Sequence, residues 1–147
     1  MTQWRPIALC NLVYKIISKI LIVRLKAVFP EIISLNQAAF IEDRLIMDNI
    51  LIVHEILHSL KKEVGMGRSS LALKLDMAKA YDRVEWPFVE LMMRRLGFDP
   101  IFRGWVLECI STVTYSVIVN GEATGHITPS RGLRQGAPLS PFFISVM

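Results

Sequence analysis

The stretch LALKLDMAKAYDRVEW, residues 71–86, decides how the rest of the chain is interpreted. The apolar run Leu71–Leu75 predicts a strand, and this strand ends on Asp76. An acidic residue after a strand usually caps the following turn. A carboxylate there is also well placed to bind Mg²⁺, which takes one or two carboxylates and completes its shell with water and substrate phosphates. From this stretch alone both interpretations stay open.

The composition is that of one ordinary domain, or of a piece of a larger one. With 147 residues, of which 52% are hydrophobic, the chain can bury a sizeable core, which argues against a disordered protein. The formal net charge of +4 permits a polyanionic partner without demonstrating one. Cys10 and Cys109 lie far apart and outside any CxxC pattern, so we expect buried thiols of a reducing compartment and no zinc site.

The most apolar stretch, residues 12–29, does not have the character of a membrane span. Four basic residues interrupt it: Lys15, Lys19, Arg24 and Lys26. Trp4, Arg5 and Pro6 likewise interrupt any early apolar region, so no signal peptide is expected. The sequence ends inside the apolar run PLSPFFISVM without a capping residue, and we therefore expect a fragment of a longer protein.

Helices and a hairpin are predicted along the chain in no strict alternation. Asn11 is a good cap for a helix over about residues 12–29, which Pro30 is expected to end. The polar residues of this helix are expected to face solvent, with a polyanion as the alternative: Lys15, Ser18, Lys19 and Lys26. Further helices are predicted over about 46–63, 86–97 and 101–112, and a hairpin around Asn120-Gly121 within 115–130. This mixture predicts an α+β fold.

The loop RGLRQGAPLSP, residues 131–141, has a composition that suits ligand binding. Its glycines let the backbone approach a ligand closely, and Gln135 offers both a hydrogen-bond donor and an acceptor. Arg131 and Arg134 are suited to contact phosphates or a nucleic-acid backbone. Loops rich in Gly and Pro are usually only turns, so this loop by itself decides nothing.

Taken together, these segments resemble reverse transcriptases. LKLDMAKAYDRVEW is similar to motif A of that family, and GLRQGAPLSP is similar to motif B. WRPIALCNLVYKIISKILIVRL and QAAFIEDR with DNILIVHEILH resemble the upstream finger segments. The resemblance covers nearly the whole chain in the family's order, and it is closest to the enzymes of non-LTR (LINE-type) retrotransposons, especially those of plant genomes. It implies the fingers and partial palm of a right-hand polymerase, with about residues 1–70 in the fingers and about 71–147 in the palm.

The resemblance also implies roles for individual residues in RNA-directed DNA synthesis. Asp76 would bind both catalytic Mg²⁺ ions, and the backbone carbonyl of Met77 can also contact metal. Tyr81 would be the steric gate that lies under the incoming sugar and collides with a 2′-hydroxyl, which is specificity by a built-in clash. Asp82 matches the motif, and we expect it to serve the turn and the following helix.

The implied reaction is attack of a primer 3′-hydroxyl on the α-phosphate of a deoxynucleoside triphosphate, with two metal ions stabilising the attacking and leaving oxygens. By the same resemblance, Gln135 and Gly136 line the nucleotide pocket and Arg5 contacts the triphosphate. Candidate contacts to the RNA template or the DNA primer, with plain surface charges as the alternative, are Lys74, Arg131 and Arg134. The protein is expected to be intracellular, and nuclear if its parent element is a retrotransposon.

Departures from the family pattern lead to further expectations. The pattern requires a later hairpin with an aromatic residue, Ala and two Asp, and no such string occurs in the 147 residues, so the fragment by itself is expected to be inactive. Ala137 stands where close relatives usually have Asp, and Glu42-Asp43 stands where Pro-Gly is usual, which is expected to alter the local bend. The alternatives are a non-catalytic nucleic-acid-binding remnant, a pseudogene product, and a domain of an intron-encoded maturase.

Overall fold

The computed structural model describes residues 8–65 and 71–146, which form six helices and one two-stranded sheet. In chain order the elements are α1 (Leu12–Ile32), α2 (Ile46–Gly65), α3 (Ala80–Arg83), α4 (Trp86–Arg95), α5 (Pro100–Ser111), β1 (Tyr115–Val119), β2 (Glu122–Ile127) and α6 (Ser140–Val146). These elements agree with the predicted mixture of helices and strands. Within these two ranges, no helix combines the length and the apolar character that crossing a membrane requires.

Helix α1 begins where the sequence predicts and ends later. The Asn11 side chain accepts a hydrogen bond from the backbone N–H of Tyr14 at 2.7 Å, which satisfies one of the free donors at the helix start. The predicted end at Pro30 is wrong, because the helix continues to Ile32 with Pro30 in its last turn. A proline inside a helix removes one backbone hydrogen bond. Burial of the neighbouring Phe29 in the core offsets that loss and holds the last turn.

The buried face of α1 differs from the predicted one. Its buried residues are Ser18, Leu21, Ile22, Leu25 and Phe29. The prediction that Ser18 faces solvent is wrong: the side chain is fully buried, and its hydroxyl donates to the carbonyl of Lys15 at 3.1 Å, which satisfies the group. The apolar side chains of the first turn, Leu12 and Val13, are exposed instead. The core therefore meets α1 from Ser18 onward.

The core forms where α1, α4 and α5 meet the segment that leads into α6. Val89 and Met93 of α4 and Val106 of α5 are almost completely buried in it. Leu133 and Leu139 belong to the same cluster. The loop before α6 is therefore anchored by apolar burial near both of its ends.

Helix α2 has the predicted bounds to within two residues, yet it contributes little to the core. Its periodic apolar residues Ile50, Val53 and Leu57 are about half exposed, and no side chain within residues 46–62 is buried. The periodicity therefore predicts the helix correctly and leaves the partner of its apolar face unspecified.

The predicted strand over Leu71–Leu75 is wrong. Residues 71–77 have no regular secondary structure, and Leu71, Leu73 and Leu75 are 74–87% exposed. A strand requires a neighbouring backbone with which to exchange hydrogen bonds. In the part of the chain that the structure describes, the two strands pair only with each other, so the apolar run over residues 71–75 has no partner strand.

The hairpin of β1 and β2 is confirmed. Asn120 and Gly121 have φ angles of 51° and 88°, the left-handed values of the type I′ turn that suits a two-residue hairpin loop. The strands pair antiparallel, with a register shift just after Tyr115. Tyr115 is half-buried, whereas the rest of both strands is exposed. The hairpin therefore contacts the body of the protein through its first residue.

Candidate functional site

The segment that follows Asp76 and the Gly-rich loop are joined through their backbones. The N–H of Leu133 donates to the carbonyl of Tyr81 at 2.7 Å, and the N–H of Gly132 donates to the carbonyl of Val84 at 2.7 Å. The indole N–H of Trp86 donates to the carbonyl of Gly132 at 2.9 Å. We call these three hydrogen bonds the clasp. They bring into contact the two stretches that the sequence analysis singles out.

Gly132 occupies a position in the clasp where a side chain would be strained and tightly packed. Its φ of 95° lies in the region that glycine adopts without strain and other residues avoid. A Cβ atom at this position would lie 3.3 Å from the carbonyl oxygens of both Tyr81 and Asp82. The two backbones can approach this closely because residue 132 is glycine.

A single helical turn, α3, carries Tyr81 and Asp82. Lys79 precedes it with a φ of 54°, and this left-handed residue changes the direction of the chain between residues 71–77 and α3. The N–H of Asp82 donates to the carbonyl of Lys79 at 3.0 Å. The Tyr81 side chain is half-buried against the core, and Val84 just after the turn is buried. Because no side chain caps the start of α3, the clasp and this burial hold the turn in place.

Asp76 and Met77 lie at the end of the irregular segment 71–77, and both are exposed, as is Lys74. The Asp76 carboxylate and the Met77 carbonyl are oxygen ligands of the kind that Mg²⁺ prefers. Within residues 8–65 and 71–146, no three His, Cys, Asp or Glu side chains cluster in a way that could hold a metal ion. One exposed carboxylate and one backbone carbonyl would leave most of the coordination shell of a Mg²⁺ ion to water and substrate phosphates.

Gln135 and Gly136 form a turn two residues beyond the clasp. Gly136 is exposed with a φ of 94°, and Gln135 is half-buried. The carbonyl of Gln135 accepts a hydrogen bond from the N–H of Ala8 at 3.0 Å, which ties the loop to the residues before α1. Ala137 is buried, and its carbonyl accepts a hydrogen bond from the N–H of Ser140 at the start of α6. The turn is thus supported on both sides.

Arg134 is packed inside this arrangement, whereas Arg131 in the same loop is exposed. The guanidinium carbon of Arg134 lies 4.5 Å from the ring centre of Tyr14 and 5.6 Å from that of Tyr115, both within cation–π range. Burial raises the pKa of Tyr14 to about 12, while the charge of Arg134 acts in the opposite direction. Neither tyrosine is predictable from the sequence, because no spacing pattern links residues so far apart to one arginine.

Residues 1–147 match the family model described as reverse transcriptase (RNA-dependent DNA polymerase). The chain belongs to the reverse transcriptase family. The transposon TX1 uncharacterized 149 kDa protein of Xenopus laevis is 34% identical to it over 138 residues, which cover 94% of this chain and 10% of that protein. The retrovirus-related Pol polyprotein from type-1 retrotransposable element R2 of Popillia japonica is 27% identical over 147 residues, which cover 99% of this chain and 20% of the polyprotein.

This reverse transcriptase chain therefore spans a tenth to a fifth of the length of these two curated relatives. The predicted relationship to the reverse transcriptases of non-LTR retrotransposons is confirmed. Of the site residues that the resemblance implies, Arg5 lies outside the described residues. The others lie within residues 71–77, on α3 and on the loop before α6.

The departures from the reverse transcriptase pattern have structural counterparts. Asp43 has a φ of 61°, so the bend is formed with an acid in the left-handed conformation that glycine favours. The Glu42 carboxylate pairs with the Lys26 ammonium group, and this hydrogen bond lowers the pKa of Glu42. Ala137 is 2% exposed, so its methyl side chain is enclosed.

Proposed function

We propose that the chain supplies the fingers and part of the palm of a right-hand polymerase that synthesises DNA on an RNA template. About residues 1–70 belong to the fingers and about residues 71–147 to the palm. Membership of the reverse transcriptase family supports this class of activity. The proposed partners are an RNA template, a DNA primer and deoxynucleoside triphosphates, and a retrotransposon protein of this kind would act in the nucleus.

The clasp is the observation that carries the proposal. It joins the backbone of Tyr81, the proposed sugar gate, to the loop that presents Gln135 two residues later. A polymerase has to hold one nucleotide between several groups at once, because correct orientation of the reactants supplies much of the rate enhancement. Backbone hydrogen bonds fix the relative position of two segments without relying on flexible side chains. The clasp therefore supports a shared site for the two motifs.

In this proposal Tyr81 selects deoxynucleotides by a clash with a 2′-hydroxyl. The half-burial of its ring against the core supports this role, since a gate that could swing aside would not discriminate. Gln135 and Gly136 line the nucleotide pocket, and the missing side chain at Gly136 lets a ligand approach the backbone. Arg5 contacts the triphosphate, for which a guanidinium fork is well suited.

Asp76 and Met77 are the proposed ligands of magnesium. A bound Mg²⁺ supplies stabilisation of the charge on the attacking and leaving oxygens of the phosphoryl transfer. The exposure of both residues supports the proposal, because a metal that shares substrate phosphates has to be open to the substrate. Lys74 and Arg131 are also exposed, and we propose that they contact the backbone of the template or primer.

Binding of Mn²⁺ together with a deoxynucleoside triphosphate tests the proposal on the 147-residue chain. Bound Mn²⁺ broadens the NMR signals of nearby amides, so the amides of Met77 and Tyr81 should broaden most when the nucleotide is present. Asp76→Asn should abolish this effect. Asp82→Asn removes another exposed acid from the same segment and should leave the effect intact.

Binding is the first readout because the aromatic-Ala-Asp-Asp string does not occur in the chain. The same broadening in the Asp76→Asn variant would refute the metal assignment. Salt-dependent RNA binding without any effect of the nucleotide would favour the non-catalytic remnant instead.

A further inference from the structure

Arg134 lies where three parts of the chain meet. Its guanidinium carbon is 4.5 Å from the ring centre of Tyr14 on α1 and 5.6 Å from the ring centre of Tyr115 on β1. Its Nη1 atom lies 3.8 Å from the Sγ atom of Cys10, just before α1. A side chain of the loop before α6 therefore contacts the first helix and the hairpin at the same time.

These contacts enclose part of the guanidinium group of Arg134. The Nε atom of Arg134 is buried and has no hydrogen-bond partner among the described residues, and Nη1 is directed at the thiol of Cys10. Binding of a phosphate requires the planar fork to present its donors to the anion. Arg131 is exposed and is under no such constraint. The two arginines of one loop thus have different surroundings.

We propose that Arg134 is a positioning residue, which fixes the backbone of Gln135 by stacking on Tyr14 and Tyr115. The hydrogen bond from the N–H of Ala8 to the carbonyl of Gln135, at 3.0 Å, depends on the same arrangement, because Ala8 leads into the helix that carries Tyr14. A cation near an aromatic face is held more strongly when it is removed from water. The effect on the loop follows from these contacts alone, and the effect on nucleotide binding rests on the proposed function.

NMR of the chain without nucleotide or RNA tests the effect on the loop. Arg134→Gln and Tyr14→Leu each remove one partner of the stack. Both should shift the amide signal of Gln135 and raise the hydrogen-exchange rate of the Ala8 amide roughly tenfold, the factor that corresponds to about 1.4 kcal/mol. Tyr14→Phe keeps the ring and Arg131→Gln removes the exposed arginine, so both controls should leave these amides unchanged.

The salt dependence of binding to a short single-stranded RNA separates positioning from a phosphate contact. Loss of one phosphate contact reduces the slope of log affinity against log salt by about 0.7 for a single strand. Arg134→Gln should leave the slope of the unaltered chain unchanged. A reduction by that amount, together with an unchanged Gln135 amide, would overturn the positioning role and make Arg134 a phosphate contact.

Two further variants keep the proposal testable if Arg134→Gln does not fold. Arg134→Lys keeps the charge and loses the planar group, so it should shift the Gln135 amide in the same direction and by less. If Tyr14→Leu and Arg134→Lys both leave that amide where it is in the unaltered chain, the proposal is wrong. A chain that binds no nucleotide, but whose Gln135 amide responds to these variants, contradicts the proposed function and supports the positioning role.

Discussion

Replacement of Gly132 by alanine perturbs the clasp at its closest point, and two costs add there. A φ of 95° costs alanine about 1–2 kcal/mol relative to glycine. The new Cβ atom would also meet the carbonyl oxygens of Tyr81 and Asp82 at 3.3 Å, and both belong to backbone that cannot swing aside as a side chain could. Displacing this backbone, which includes the Tyr81 carbonyl that accepts from Leu133, weakens hydrogen bonds of the clasp that each contribute about 1 kcal/mol. Gly132→Ala should therefore lower the free energy of unfolding by about 2–4 kcal/mol.

Gly121 provides the matched control, because its φ is 88° and nothing lies within 4 Å of a Cβ built on it. Its alanine variant carries the conformational cost alone, about 1–2 kcal/mol. Urea unfolding followed by circular dichroism gives both free energies, and their difference, about 1–2 kcal/mol, is the contribution of the close approach. If Gly132→Ala costs no more than Gly121→Ala, the clasp does not require a close approach at residue 132 and the reasoning fails.

Other positions give equally specific expectations. Trp86→Phe removes the indole hydrogen bond of the clasp and should lower the free energy of unfolding by about 1 kcal/mol more than Trp105→Phe, whose ring is half-exposed. Equal losses of stability in urea unfolding would contradict the role of that bond. Asp43→Gly replaces a residue with a φ of 61° and should raise the free energy of unfolding by about 0.5–1 kcal/mol, whereas a loss of stability would show that the acid itself is needed at the bend. Burial raises the pKa of Tyr14 from 10.0 to about 12 in the folded chain, so the unfolded state loses this proton first. The free energy of unfolding should therefore fall from pH 10 to pH 12. The fall should be smaller in Tyr14→Phe, and an equal fall would contradict the burial of the hydroxyl. Tyr81→Val can be tested in a chimaera in which these 147 residues replace the aligned segment of the Popillia japonica polyprotein. Ribonucleotide incorporation should rise roughly tenfold or more relative to Tyr81→Phe, and unchanged sugar selectivity would reject the gate role.

Local chemistry explains which parts of the fold can be predicted from the sequence. Asn11 and the Asn120-Gly121 pair determine a helix start and a turn through their own side chains and backbone, and both are observed. Leu71–Leu75 illustrates the opposite case, because an apolar run shows that a segment suits a buried sheet but not that a neighbouring strand is present. Ser18 is buried because the core lies on that side of α1, which the pattern of α1 alone does not specify.

The candidate site likewise has residues that local motifs identify and contacts that only the folded chain shows. Asp76, Tyr81 and Gln135 are identified by motifs that lie within short stretches of sequence. The clasp depends on contacts between Gly132 and a backbone segment that is distant in the sequence, and a local motif does not specify such contacts. The charge of Arg134 is evident from the sequence, whereas its contacts with two distant tyrosines are a tertiary feature that composition and spacing do not contain.

Primer extension by the same chimaera, with and without Asp76→Asn, is the most direct test of the claim that this carboxylate anchors metal-dependent DNA synthesis. We expect Asp76→Asn to lower extension to below roughly one hundredth of the unaltered level, because several kcal/mol of transition-state stabilisation are lost with the metal. Asp82→Asn should retain most of the activity. Extension by the Asp76→Asn chimaera at the level of the Asp82→Asn chimaera would contradict the account.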